Sequence, residues 1–360
     1  MPAEWDPHAA TWLGWPQARD WRGKASAIVW VFAEMARHLA PHERVRLLVR
    51  DRAERERAQS VLERAHVPLQ QIDWFPIPTD RSWTRDYLPT FVTRAPVQTE
   101  SRGALPRLAA VKWRFNGWGR YSTHRRDEAA GWRVAHWRNV PVFPAQVPAG
   151  SGRQPVVLEG GALDVDGQGT VIVCEECLLR GRFARCPQLG RAGVERVLAD
   201  YLGVERVLWM EAGIAGDDTS GHVDDFVRFV APGRVVLCQE PQADDPNHRP
   251  LQAARDRLEG ACDAAGRRLE IIPLPMPRPL CFAGRRLPAS YANFYLANSV
   301  LLVPTFNDPM DRVALGIMAE LFPDREVVGI HAVDLVLGLG TIHCSTQQEP
   351  LGQPRAHFRG

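Results

Sequence analysis

Two hydrophobic periods alternate along the chain. Across 24–40, Ile28, Val31, Phe32, Met35 and Leu39 recur at helical spacing, which predicts an amphipathic helix that stops before Pro41. The same spacing predicts helices over 53–65, over 189–202 with Gly203 as the stop, over 251–265, and over 309–321 before Pro323. Between them the residues turn β-branched and aromatic, predicting strands over 156–158, 170–173, 204–210, 226–230, 235–237, 300–303 and 327–330. Asp166-Gly167 and Pro232-Gly233 supply turns between neighbouring runs.

This order recurs. A strand runs into a Gly/Asp/Ser-rich loop, the loop feeds a second strand, and a helix follows. About five such modules are centred on Trp12 and on 83–92, 159–173, 217–237 and 290–303, with the loop at Cys344 closing onto the N-terminal strand. No Pro/Ser-rich linker interrupts them, so the expectation is one α/β domain over 1–360.

Composition narrows the function. Lys plus Arg is 44 against 42 for Asp plus Glu, a net charge of +2, and the arginines are scattered. Without a basic stripe, a nucleic-acid partner is disfavoured. The longest apolar run, Val300-Leu301-Leu302-Val303, ends at Pro304, far short of a membrane span. The first six residues resemble no basic leader or signal segment, and seven irregularly spaced cysteines make no disulfide framework. A reducing cytoplasm is therefore expected, with free thiols.

Three polar clusters carry chemistry. Cys344 follows Gly338-Leu339-Gly340-Thr341-Ile342-His343 and is surrounded by hydroxyls and amides rather than aliphatics. His222 and Asp224 lie two apart; on a strand both would face one ligand, with Val223 in the core and Asp225 on the opposite face. Asp86 follows Trp83 and Arg85, the indole offering a wall for a cation and the arginine an internal partner. A thiol, an imidazole and paired carboxylates are the parts of a covalent enzyme acting on a cationic carbon. Metal binding by His222, Asp224, Asp225 and His343 is the rival, but no His-x-x-x-His pair supports it. Cys174-x-x-Cys177 lacks a second pair, and the calcium-like run from Asp164 reads better as a hairpin turn.

These clusters, with Met1 to His8, Ser82 to Asp86, Trp113 to Gly119, Leu158 to Gly161, Gly216 to Asp225, Ala289 to Tyr295 and Ile342 to Gln348, resemble the agmatine deiminase and bacterial peptidylarginine deiminase family of guanidine-modifying enzymes. The resemblance implies a fivefold pseudosymmetric α/β propeller and hydrolysis of agmatine to N-carbamoylputrescine and ammonia, with no metal and no cofactor. Cys344 matches the nucleophile and His222 the proton-transfer residue. Asp86 and Asp224 match the carboxylates that grip the guanidinium, and Glu159 an acid beside the histidine. Trp83 and Trp118 stand where they could wall the small guanidine substrate. Leu88, Ser220, Asp225, Leu339 and Thr341 depart from the usual pattern, which bears on the substrate's far end. Peptidyl-arginine, free arginine, amidino transfer and an inactive guanidine-binding propeller remain the alternatives, and a homodimer is admitted.

Overall fold

A computed structural model describes residues 1–21, 23–94 and 107–351. Five sheets share one plan: an antiparallel strand pair, then a helical crossover to a third, parallel strand. Thr90–Thr93 pairs with Leu108–Lys112, and helix Arg125–Trp137 leads to Val142–Pro144. Leu163–Val165 pairs with Thr170–Cys174, and Gly190–Leu202 leads to Arg206–Met210. Val227–Ala231 pairs with Arg234–Gln239, and His248–Leu258 leads to Glu270–Pro275. Tyr295–Leu296 pairs with Val300–Thr305, and Pro309–Leu321 leads to Glu326–His331.

The remaining sheet joins the two ends of the described chain. Thr346–Pro350 lies antiparallel to His8–Gly14, which runs parallel to Arg44–Val49 across helix Ala25–Leu39. Helix Arg52–Arg64 then adds Ile72–Pro76. Central strands such as Thr170–Cys174 are buried along their whole length, as continuous apolar runs require when both faces are covered.

Helix ends follow local chemistry. The Asp51 side chain accepts from the Glu54 N–H, and Asp308 and Asp311 form a capping box around Pro309. Gly203 closes its helix in the left-handed conformation, at φ +69°. The buried apolar side chains form one contiguous cluster running from Trp12 to Cys344. Among the described residues, no helix is long and apolar enough to cross a membrane.

Two local expectations change, and one element was not expected. Residues 156–158 carry only a single bridge, Arg114 to Val157, instead of a strand. The helix expected over 251–265 starts three residues earlier, at His248, and ends at Leu258, where Gly260 takes a positive φ. Helix Arg125–Trp137, which opens with four charged or polar residues, has no counterpart in the sequence reading.

Candidate active site

Each sheet's first strand is preceded by a short polar segment, and these segments meet. Helix Thr84–Tyr87 precedes Thr90–Thr93, the 3₁₀ turn Gly160–Ala162 precedes Leu163–Val165, and Val223–Asp225 precedes Val227–Ala231. Ser290 to Asn293 precedes Tyr295–Leu296, and Ile342 to Ser345 precedes Thr346–Pro350. Backbone bonds tie them together: Arg85 N–H donates to the Cys344 carbonyl at 3.2 Å, and Thr84 Oγ1 to the Ser345 carbonyl at 2.8 Å.

The centre is Cys344, buried at the inner end of a cavity of about 630 Å³ whose wall includes Trp83, Asp86, Trp118, Tyr121 and Asp218. Gly338 and Gly340 are required by packing. A Cβ on Gly338 would stand 2.6 Å from Trp21 Nε1 and 2.7 Å from the Trp83 ring, and one on Gly340 3.0 Å from Trp83. Leu339 between them takes φ +71°.

His222 Nε2 lies 3.5 Å from Glu159, while Nδ1 lies 3.8 Å from Asp86 and 3.9 Å from Asp224. Burial alone would lower its basicity, yet Asp86, Cys177 and Glu159 override that and hold it well above the usual imidazole range. Asp86 accepts from Trp118 Nε1 at 2.9 Å and from the Gly161 N–H at 3.1 Å. Burial, opposed by His222 and reinforced by Asp224 and Glu159, raises it to about 6. Glu159 is buried too, but the Arg185 Nε donates to both its oxygens, at 2.9 and 3.0 Å, and holds it below the usual range. The Cys344 thiol is pushed well up, by burial first and then by Asp224, Asp225 and Asp86.

The strand phase expected at 222–225 is wrong. Val223–Asp225 forms a 3₁₀ turn, so alternate residues do not face opposite sides. Asp225 therefore comes to the same side as Asp224: one oxygen from each lies within 4.8 Å of the other and of Cys344 Sγ. Burial, Asp224 and Asp217 push Asp225 well above the usual carboxylate range. Asp217 shapes this turn by accepting from the Gly221 and His222 N–H groups and lies outside the cavity wall, whereas Asp218 lines it and accepts from Tyr121. A second group with metal-binding donors is Glu159, Cys177 and His222. Its carboxylate is already taken by Arg185.

The sequence reading missed several neighbours. Asn293 Oδ1 accepts from Thr341 Oγ1 at 2.7 Å and from the His343 N–H at 3.0 Å. A backbone N–H can only donate, so this fixes the amide with Nδ2 toward Cys344 Sγ, at 3.2 Å, and Asp225, at 3.1 Å. Arg185 and Cys177 also went unassigned, since nothing in their spacing points to a histidine some forty residues away. Trp113, at the start of one matched block, donates to Thr90 and packs on Tyr201, away from the cavity wall. Arg85 pairs internally with Glu4, as expected, but Arg19, Lys24, Arg81 and Arg285 line the outer cavity.

Comparison with known proteins shows what the whole chain resembles. The family model described as Porphyromonas-type peptidyl-arginine deiminase matches residues 1–350. Agmatine deiminase from Pseudomonas aeruginosa (strain LESB58) is 35% identical over 97% of this chain and 95% of its own. That of Stutzerimonas stutzeri (strain A1501) is 36% identical over the same shares. The solved agmatine deiminase of Enterococcus faecalis superposes with a TM-score of 0.84 at 31% identity, covering 97% of this chain and 95% of that one.

Proposed function

This chain belongs to the Porphyromonas-type peptidyl-arginine deiminase family, and we propose that its reaction is the hydrolysis of agmatine to N-carbamoylputrescine and ammonium. The observation that carries this reading is that Cys344 and Asp86 line one cavity with two buried residues beside them, His222 at 3.8 Å from Asp86 and Asp224 at 3.7 Å from Cys344. Asp86 and the unpartnered Oδ1 of Asp224 accept the guanidinium N–H groups and fix its plane. The alkyl chain lies along Trp83 and Trp118, and its ammonium ends at Asp218.

An incoming guanidinium offsets the negative surroundings that disfavour the thiolate, so the Cys344 thiol releases its proton to solvent when the substrate arrives and regains one after the product leaves. The Cys344 thiolate then attacks the central carbon. A C–S bond forms, His222 protonates one amino group, and the C–N bond breaks to release ammonia. Neutral His222 next takes a proton from water, whose oxygen adds to the amidino-thioether. Collapse breaks the C–S bond, frees the ureido product, and leaves its proton to make ammonium. Asn293 Nδ2 donates to the sulfur whenever it carries charge. The carboxylates polarise the carbon, so this route calls for no metal or cofactor. The five sheets of one plan support a fivefold pseudosymmetric propeller, forming one catalytic domain that works in the cytoplasm.

A ureido-product assay on agmatine, free arginine and peptidyl-arginine tests the reading. Agmatine should be favoured over arginine by at least about tenfold in kcat/KM, which takes about 1.4 kcal/mol. Arg19, Lys24 and Arg285 at the outer cavity favour the second reading, a carboxylate-bearing substrate; equal or better turnover of arginine would establish it. Cys344→Ser should abolish turnover with the fold intact, and mass spectrometry of quenched wild type should find the amidino adduct on the Cys344 peptide. An adduct on Cys174 or Cys177 would refute the assignment.

A further inference from the structure

His343, beside the nucleophile in sequence, takes no part in the chemistry above, yet it is buried in the site. Its Nδ1 lies 2.7 Å from Asp224 Oδ2 and its Nε2 lies 2.7 Å from Glu4 Oε2. Carboxylates accept, so an imidazole between two of them must donate from both nitrogens, which only the imidazolium does. Glu4 is anchored in turn by Arg85 at 3.2 Å, Arg228 at 3.0 Å and the Leu296 N–H at 2.9 Å.

We propose that His343 is a positioning residue: as an imidazolium bridging Glu4 and Asp224, it fixes one oxygen of Asp224 and leaves the other turned to the guanidinium. The proposal deepens the deiminase reading and rests on it for what Asp224 holds. Asp224 is faced by His222 at 3.9 Å and Cys344 at 3.7 Å, with Asp86, Asp225 and Arg228 adding their charges. Two acids and a buried thiol crowd that carboxylate, and burial alone would push it up. The bond and charge of His343 come first among the effects that hold it below the ordinary range. Oδ2 is the oxygen His343 occupies, and Oδ1 is the buried atom left unpartnered. The bridge thus sets both the charge of Asp224 and which of its oxygens is free.

Two measurements test this. In wild type without substrate, ¹⁵N-labelled imidazole spectra should show both His343 ring nitrogens carrying protons. A neutral tautomer at pH 7 would overturn the bridge. In His343→Gln the amide can still donate to Asp224 but brings no charge, so Asp224 should titrate higher and join Asp86 in the acid limb of kcat/KM, making its fall below pH 6 steeper than in wild type, with KM for agmatine rising more than kcat falls. A profile that overlays wild type after uniform scaling would reduce His343 to a packing role and overturn the proposal. The spectra need neither a variant nor turnover, so they decide the bridge even if His343→Gln fails to fold. Failure of wild type to deiminate agmatine would instead strike the functional reading.

Discussion

Asp86 and Asp224 are both buried, but their charges have different supports. Asp224 leans on His343, whereas Asp86 has only neutral N–H donors and the field of His222, and it titrates at about 6. A guanidinium needs the anion. As pH falls through about 6, Asp86 takes a proton and kcat/KM should drop, reaching about a tenth of its plateau near pH 5. A profile flat to pH 5 would show that Asp86 is not the acid that binds. Asp86→Asn and Asp224→Asn should each lose about 2 kcal/mol or more of transition-state stabilisation, read from kcat/KM. Asp225→Asn should stay within about 0.5 kcal/mol. The reason is not orientation, since Asp225 faces the site; burial, Asp224 and Asp217 push its carboxyl well up, toward the uncharged form that Asn mimics.

At the scale of elements, the site depends on short turns packed against indoles. Gly338→Ala should displace Trp21 and Trp83, whose tilted rings meet with centroids 5.1 Å apart, and cost about 1–3 kcal/mol in stability with a raised KM. Thermal melts and agmatine kinetics read both; an unchanged KM would mean that Trp83 does not wall the substrate. The same turns mark what sequence could tell. Strand Val300–Thr305 and helix Pro309–Leu321 were legible because their apolar periods and caps are local. Cys344, His222 and Asp86 were legible because polar runs between apolar strands are conspicuous. The 3₁₀ turn at Val223 was not, because period two and a single tight turn look alike over three residues. Nor were Asn293, His343 and Arg185 legible as partners, since their meaning lies in contacts between separate sheets.

Across the whole molecule, Glu4 binds segments that are remote in sequence: Arg85, Arg228, Leu296 and His343. Glu4→Gln would leave two buried guanidinium groups short of an anion and should cost about 3 kcal/mol or more, measured by urea unfolding. A loss below 1 kcal/mol would show that Asp164, which also holds Arg228, suffices. The pairing of His8–Gly14 with Thr346–Pro350 has a consequence for biosynthesis. A ribosome makes the first of these strands long before the second. Until then one long, apolar strand edge stays open on the nascent chain, a template for wrong partners and for chaperones. Cys344 directly precedes the late strand, so the step that covers the edge is also the one that seats the nucleophile. A growing chain therefore cannot consume substrate before that edge is sealed.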